Sequence, residues 1–402
     1  MKSRILFLCV VPIVLVLSGC LNKSELLQLQ DKPLSLKSGL VQDASLSLKS
    51  ASLVRKYIVI LKDDAIQPNS VGQTSSANVR AKATGILVNN QFSGAIEEVY
   101  QTALQGFTVR MSPDQAQKLI SGGTVKSVEA DQVISLSPID AKCRPGSKSD
   151  DNMVPWGIFR VGGSGSGIGK TAWIIDTGID KNHRDLKVDL KRSVSFVGSN
   201  TSPWDEYGHG THVAGIIGAQ NNKIGVVGVA AGATLVSVRV LDRNGTGTVS
   251  GLIAGIDYVA ANGKTGDVAN LSLGGGASLA LDNAVIAASA KVRFVLAAGN
   301  SSDNTNNYSP ARANGPNIYT VSAMDSRDRW ASWSNYGNPP IDYCAPGVDI
   351  YSTYMGGGYA IMSGTSMAAP HVTGLLLRGA IKSDGRVRGD PDKNADLIAF
   401  HK

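Results

Sequence analysis

The chain carries two rhythms of apolar and polar residues. Between residues 56 and 137 short alternating runs dominate. Tyr57-Ile58-Val59-Ile60-Leu61 predicts a strand, residues 99–111 a second extended stretch containing Gly106-Phe107, and Val125-Lys126-Ser127-Val128-Glu129 a further strand. Ser112-Pro113-Asp114-Gln115 predicts a helix start, with a capping serine, proline in the first turn, and Ala116 and Leu119 on one face. Downstream the rhythm changes. Compact apolar runs at 171–175, 233–240, 268–273, 292–298 and 318–322 alternate with helical stretches at 209–219, 248–262 and 278–291. Runs without polar alternation, separated by helices, predict an α/β fold: a parallel sheet with helices on both faces, preceded by a small α+β unit. Sites in such sheets form at the carboxyl ends of strands. Asp176 ends one run and Asn300 closely follows another.

The flanks modify this picture. Lys2 and Arg4 precede a thirteen-residue apolar run at 5–17, followed by Ser18-Gly19-Cys20. That is short of the roughly 20 residues a membrane helix needs, and it has the charged start and small residues of a secretory signal. Leu17-Ser18-Gly19-Cys20 resembles the bacterial lipobox, which implies lipidation of Cys20 and a place in a bacterial cell envelope, with the lipid anchor as the sole membrane contact. Lipid labelling that survives Cys20→Ala would contradict this. Residues 21–54 predict a polar tether. Residues 55–138 form the small unit, 139–152 an exposed linker suited to proteolytic processing, and 153–402 the large domain.

Composition excludes more than it assigns. With 43% apolar and 18% charged residues the chain is globular. Its net charge of +7 divides into +2 for 1–20, +3 for 21–150 and +2 for 151–402. No part is basic enough to indicate nucleic acid. Cys9 leaves with the signal and Cys20 would carry lipid, leaving Cys143 and Cys344. Export permits a disulfide between them; the alternative is two free thiols.

Candidate chemistry lies in three short segments. They are Asp176-Thr177-Gly178-Ile179-Asp180, His209-Gly210-Thr211-His212-Val213-Ala214-Gly215 and Gly364-Thr365-Ser366-Met367-Ala368-Ala369-Pro370. Carboxylate, imidazole and hydroxyl in that order form one of the known orders of the Ser-His-Asp constellation. A serine hydroxyl needs a neighbouring base, and imidazole titrates in the range that suits this task. His209 and His212 alone could suggest a metal pair, but no H-E-x-x-H motif accompanies them.

These segments resemble those of the subtilisin-like serine proteases (subtilases), over about residues 153–402. The resemblance implies a subtilisin-like catalytic domain in which Asp176 orients, His209 transfers the proton and Ser366 attacks, with His212 structural. Asn300, in Ala297-Ala298-Gly299-Asn300, corresponds to an oxyanion donor. Gly245-Thr246-Gly247 and Leu271-Ser272-Leu273-Gly274 correspond to the edges that pair with substrate backbone. Leu273-Gly274 and Ala298-Gly299 would line an apolar primary pocket, implying broad specificity that favours large apolar side chains. Asn221 to Ala230 is similar to a calcium loop, implying structural Ca2+ held by Asp185, the Asn222 side chain and the carbonyls of Ile224 and Val226. In the small unit Gly106-Phe107 and Val125-x-x-Val128-Glu129-x-Asp131 resemble the ferredoxin-like propeptide inhibitor domain of the same proteases. The expectation is a monomeric serine endopeptidase made as a zymogen, acting on polypeptides and held shut by its own propeptide. An inactive binding lipoprotein on a protease fold, or an esterase using the same triad, are the competing readings.

Overall fold

The computed structural model describes residues 54–62, 75–136 and 153–401. The signal segment with Cys20, the tether up to residue 53 and the 139–152 linker with Cys143 lie outside these residues.

A nine-stranded sheet organises the larger part of the described chain. Its spatial order is Lys382–Arg386, Leu397–Phe400, Ile341–Pro346, Ile318–Met324, Arg293–Ala297, Val268–Leu271, Thr171–Asp176, Thr234–Arg239 and Val194–Ser195. All neighbours pair in parallel except Lys382–Arg386, which runs antiparallel at one edge. The central runs lack polar alternation because both faces are covered. In Thr171–Asp176, Ala172 and Ile174 pack towards helices His209–Gly218 and Thr365–Arg378, while Trp173 and Ile175 pack towards Val249–Asn262 and Leu279–Ala288. Strand order reverses beside Thr171–Asp176: the chain goes on to Thr234–Arg239 on one side and returns to Val268–Leu271 on the other. Such a switch point opens a crevice at the carboxyl ends of the strands.

The N-terminal sheet is antiparallel, with order Ile96–Tyr100, Gly106–Met111, Arg55–Leu61 and Val125–Ala130. Alternation in Arg55–Leu61 divides two jobs. Tyr57, Val59 and Leu61 face the helices Ser76–Asn89 and Pro113–Ser121, whereas Ile58 and Ile60 join the apolar cluster formed by Val249–Asn262 and Leu279–Ala288. The capping serine expected at Ser112 is present and forms a full capping box: its hydroxyl accepts from Gln115 N at 3.2 Å, and Gln115 Oε1 accepts from Ser112 N at 2.8 Å.

Two sequence expectations change here. The stretch 99–111 is not continuous, because residues 101–105 turn between two strands. The backbone N–H groups of Gln101, Thr102 and Ala103 bend towards the Asp257 carboxylate, which accepts from Thr102 and Ala103 at 2.7 Å. Helix Ser76–Asn89 was not anticipated. Its buried face is only Val79, Ala83, Ile86 and Leu87, a narrow stripe in an otherwise polar and small-residue run.

Candidate active site

Asp176 is the last residue of a central strand and has no exposed surface. His209 opens a helix that lies against that strand end. Gly210 makes this approach possible, since a Cβ there would fall 2.1 Å from Gly178 O and 3.2 Å from Asp176 Cβ. His209 Nδ1 consequently sits 2.8 and 2.9 Å from the two Asp176 oxygens. A carboxylate only accepts, so Nδ1 carries the proton and Nε2 is left as an acceptor. Asp176 Oδ1 also accepts from Thr177 N at 2.7 Å.

Ser366 is the second residue of helix Thr365–Arg378, among N–H groups that have no partner within the helix. Its hydroxyl donates to Ser272 O at 2.9 Å, and Ser272 Oγ donates in return to Ser366 O at 2.8 Å. The expected pairing of this hydroxyl with an imidazole is therefore not the arrangement found: its single proton is directed at the neighbouring strand. Rotation about one side-chain bond would redirect it.

The other two histidines of these segments are sealed. His212 Nε2 sits between Ile350 O at 3.0 Å and Ala360 O at 3.1 Å, and burial pushes its pKa down to about 3. His371 Nδ1 lies 2.8 Å from Met367 O, and burial lowers its pKa to about 4. Both are neutral at physiological pH and serve as backbone braces.

Asn300 is oriented from one side. Its Oδ1 accepts from Thr365 N and from Thr365 Oγ1, both at 2.9 Å. Thr365 Oγ1, having given its proton away, accepts from Gly299 N at 3.1 Å. Gly299 needs its glycine, with φ +106° and Asn335 Nδ2 only 2.4 Å from where a Cβ would sit. With its oxygen so engaged, the Asn300 amide N–H2 is the end left for the cavity that Asn300 lines together with Ser366.

That cavity holds about 220 Å³, and its wall includes Leu273, Gly274, Ala297, Ala298 and Gly299 with no charged side chain. Its mouth is occupied by the chain itself. Strand Val133–Ser135 pairs antiparallel with Thr246–Thr248, matching Thr246 to Ser135 and Gly247 to Ile134, and Leu136 N donates to Gly245 O at 3.0 Å. Ile134 is buried in the cluster of Leu241, Leu271 and Leu273. Two carboxylates secure the docking. Asp131 accepts from Ser250 N at 2.9 Å and Ser250 Oγ at 2.6 Å, and Glu129 accepts from Ala280 N at 3.2 Å. Each lies at the N-terminal turn of a helix, where negative charge is favoured by roughly 0.3–1 kcal/mol. The sequence placed Glu129 and Asp131 in the segment that resembles a propeptide inhibitor domain, without showing which helices they meet.

Two of the residues expected to hold calcium, Asp185 and Val226, are in direct contact, through the Val226 N–H rather than its carbonyl. Asp185 Oδ2 accepts from Val226 N at 3.0 Å and Tyr359 OH at 3.3 Å, while Oδ1 is buried without a partner. Burial pushes this carboxyl up to about 6. Asn222 Oδ1 accepts from Ile224 N at 3.2 Å. An orphaned carboxylate oxygen beside an amide and a carbonyl-bearing loop fits a calcium ion, which favours oxygen ligands. Among the described residues no three His, Cys, Asp or Glu side chains cluster, so Asp185 would be the sole charged ligand. Of the two cysteines that a bridge would join, Cys143 lies outside the described residues, and Cys344 is a free thiol without exposed surface, packed among Met324, Val387 and Ile398 in the sheet. A bridge would need a partner Cα within about 7 Å of that sealed strand.

Comparison with known proteins agrees with this geometry. The pattern described as "Subtilase family" matches residues 169–381, and "Peptidase inhibitor I9" matches 56–137. The chain is 36% identical over 380 residues to the extracellular serine proteinase of Thermus sp. (strain Rt41A), spanning 90% of this chain and 86% of that protein. It is 35% identical over 362 residues to alkaline serine exoprotease A of Vibrio alginolyticus, spanning 87% of this chain but 64% of that longer protein. A crystal structure of a cold adapted subtilisin-like serine proteinase superposes with a TM-score of 0.54 at 38% identity, covering 62% of this chain and 98% of that one.

Proposed function

The chain belongs to the subtilase family of serine proteases, and on that premise we propose that Asp176, His209 and Ser366 hydrolyse peptide bonds through an acyl-enzyme. Ser366 Oγ attacks the scissile carbonyl carbon while its proton passes to His209 Nε2. Asp176, on Nδ1, holds the tautomer and balances the imidazolium. The oxyanion is met by the Ser366 backbone N–H and the Asn300 amide. His209 then protonates the leaving amine, and water repeats the sequence in reverse to free the acid. The observations that carry this reading are the Asp176–His209 contact of 2.8 Å and the shared lining of one cavity by Ser366 and Asn300. Reaction with an active-site-directed phosphonate should label Ser366 and abolish peptide hydrolysis. An unlabelled protein would favour the inactive-scaffold reading, and faster turnover of simple esters with no peptide cleavage would favour an esterase.

The substrate would lie as an added strand between Gly245-Thr246-Gly247 and Leu271-Ser272-Leu273-Gly274, held by main-chain bonds whatever its sequence. An uncharged cavity lined by Leu273 and Ala298 supports a preference for large apolar side chains at the cleaved position. Strand Val133–Ser135 is paired with the first of these edges, which supports an inhibited precursor opened by cutting within 139–152. Lipid anchoring through Cys20 in a bacterial envelope, a polar tether and a monomeric state complete the proposal. The extracellular serine proteinase from Thermus is consistent with export.

Calcium at Asp185, Asn222 and the carbonyls of Ile224 and Val226 would stabilise the fold and take no part in the chemistry. At a hundredfold excess over its dissociation constant it would contribute about 2.7 kcal/mol. A chelator should therefore lower the melting temperature by roughly 5 °C, and Asp185→Asn should remove that sensitivity. A melting curve indifferent to chelator would exclude the site.

A further inference from the structure

We infer that Asp205 is a positioning residue for the Asp176–His209 pair, an inference that rests on the roles proposed above for those two. Asp205 lies four residues before His209, in a loop with no strand or helix of its own. Its carboxylate collects five donors. Oδ1 accepts from Thr177 Oγ1 at 2.9 Å, Tyr207 N at 2.9 Å and Gly208 N at 2.8 Å. Oδ2 accepts from Thr211 N at 3.0 Å and Thr211 Oγ1 at 2.5 Å.

These partners belong to two different elements. Thr177 follows Asp176 directly at the strand end, whereas Thr211 sits in the first turn of the helix opened by His209. Both threonines are fully buried, and each relays the connection onwards. Thr177 Oγ1 accepts from Gly210 N at 2.9 Å, and Thr211 Oγ1 accepts from Asp180 N at 2.9 Å. The helix has Gly208 at its cap, which offers no side chain, so Asp205 supplies the missing acceptor for its first turn. The loop is itself braced by buried Arg239, which donates to Trp204 O at 2.8 Å and Glu206 Oε2 at 2.8 Å. Arg239 is the register partner of Asp176 on the adjacent strand. One carboxylate thus ties the residue after Asp176 to the helix turn that presents His209.

An acceptor-only group is required, because all five contacts are donors. Asn has the same shape but would turn an N–H2 against either the Thr177 or the Thr211 side. The resulting displacement of the imidazole should slow the chemistry, and misplacement of about 1 Å can cost on the order of 10²-fold. Substrate binding should be spared, since strands Thr246–Thr248 and Val268–Leu271 make none of these bonds.

The test is Asp205→Asn in the full chain, purified after maturation and compared with the unmodified enzyme. Four quantities are read: the fraction of molecules a phosphonate can label at Ser366, the labelling rate per reactive site, and kcat and KM on a peptide. The expected result is full labelling, a rate per site and kcat lowered by about 10- to 100-fold, and KM within about twofold. A loss confined to the reactive fraction or to KM would assign Asp205 a purely structural role and overturn the inference, as would unchanged rates. If Asp205→Asn gives no folded enzyme, Thr177→Val and Thr211→Val, each removing one arm, are read in the same way. Failure of the unmodified enzyme to label would instead count against the roles of Asp176, His209 and Ser366 themselves.

Discussion

Ser366→Ala is expected to lower peptide hydrolysis by about 10⁶-fold, the scale associated with losing the nucleophile of a triad, and to leave the 139–152 segment uncut. The substitution removes only Oγ and its bond to Ser272 O. The helix from Thr365, the Thr365–Asn300 contacts and the Asp176–His209 pair lose no atom. Residual activity over water, about 10³–10⁴-fold, would come from binding and the oxyanion donors. The second half of the expectation follows from the docked tail. Strand Val133–Ser135 lies in the groove with Leu136 bonded to Gly245; Ser135 and Leu136 line the cavity with Ser366, and the linker follows closely in sequence. Self-cleavage there needs the same nucleophile. Mass spectrometry of the purified variant should find the segment intact. A variant that matures at the normal rate without added protease would show that a different enzyme makes the cut, and undiminished peptide hydrolysis would remove Ser366 from the mechanism.

The next largest effect is expected at Asn300. Loss of one oxyanion donor typically costs about 10²–10³ in turnover, and kcat should carry that loss with KM little changed. Asn300→Ala also strips Thr365 N–H and Oγ1 of their acceptor, an unsatisfied-donor cost of about 1–3 kcal/mol. Alanine therefore mixes catalysis with stability. Asn300→Asp separates them: the acceptor facing Thr365 survives, while the N–H2 facing the cavity becomes an oxygen that repels a developing anion. Turnover should fall at least as far as in the alanine variant, with the melting temperature closer to that of the unmodified enzyme. An aspartate variant with normal kcat would show that Asn300 supplies no donor.

Much of this was legible in order along the chain. Apolar runs buried on both faces need no polar alternation, so the parallel sheet could be read from the order of such runs and the helices between them. The segments around Asp176, His209 and Ser366 carried their own local signals, because a strand end and two helix starts leave short-range marks. Less was visible where the partner is remote. Helix Ser76–Asn89 buries only a narrow stripe, and that stripe gains meaning from the sheet it covers. The turn at 101–105 exists to meet Asp257, about 150 residues downstream, which no window of neighbouring residues contains. For Cys344 the sequence left a bridge and a free thiol open, because spacing says nothing of burial, and only the fold shows the thiol sealed within the sheet.

By itself the sequence determined the alternation of strands and helices, the identity of Asp176, His209, Ser366 and Asn300 as candidates, and the presence of a small unit ahead of the large domain. The elements depend on near-neighbour periodicity, which the chain carries locally, and the candidates on short segments and their resemblance to the subtilases. The tertiary structure alone decided which end of the Asn300 amide faces the cavity, that strand Val133–Ser135 fills the groove, and that Asp205 joins the Asp176 and His209 elements. Each of these is a matter of hydrogen-bond direction across elements distant in sequence, and direction exists only once the chain has closed.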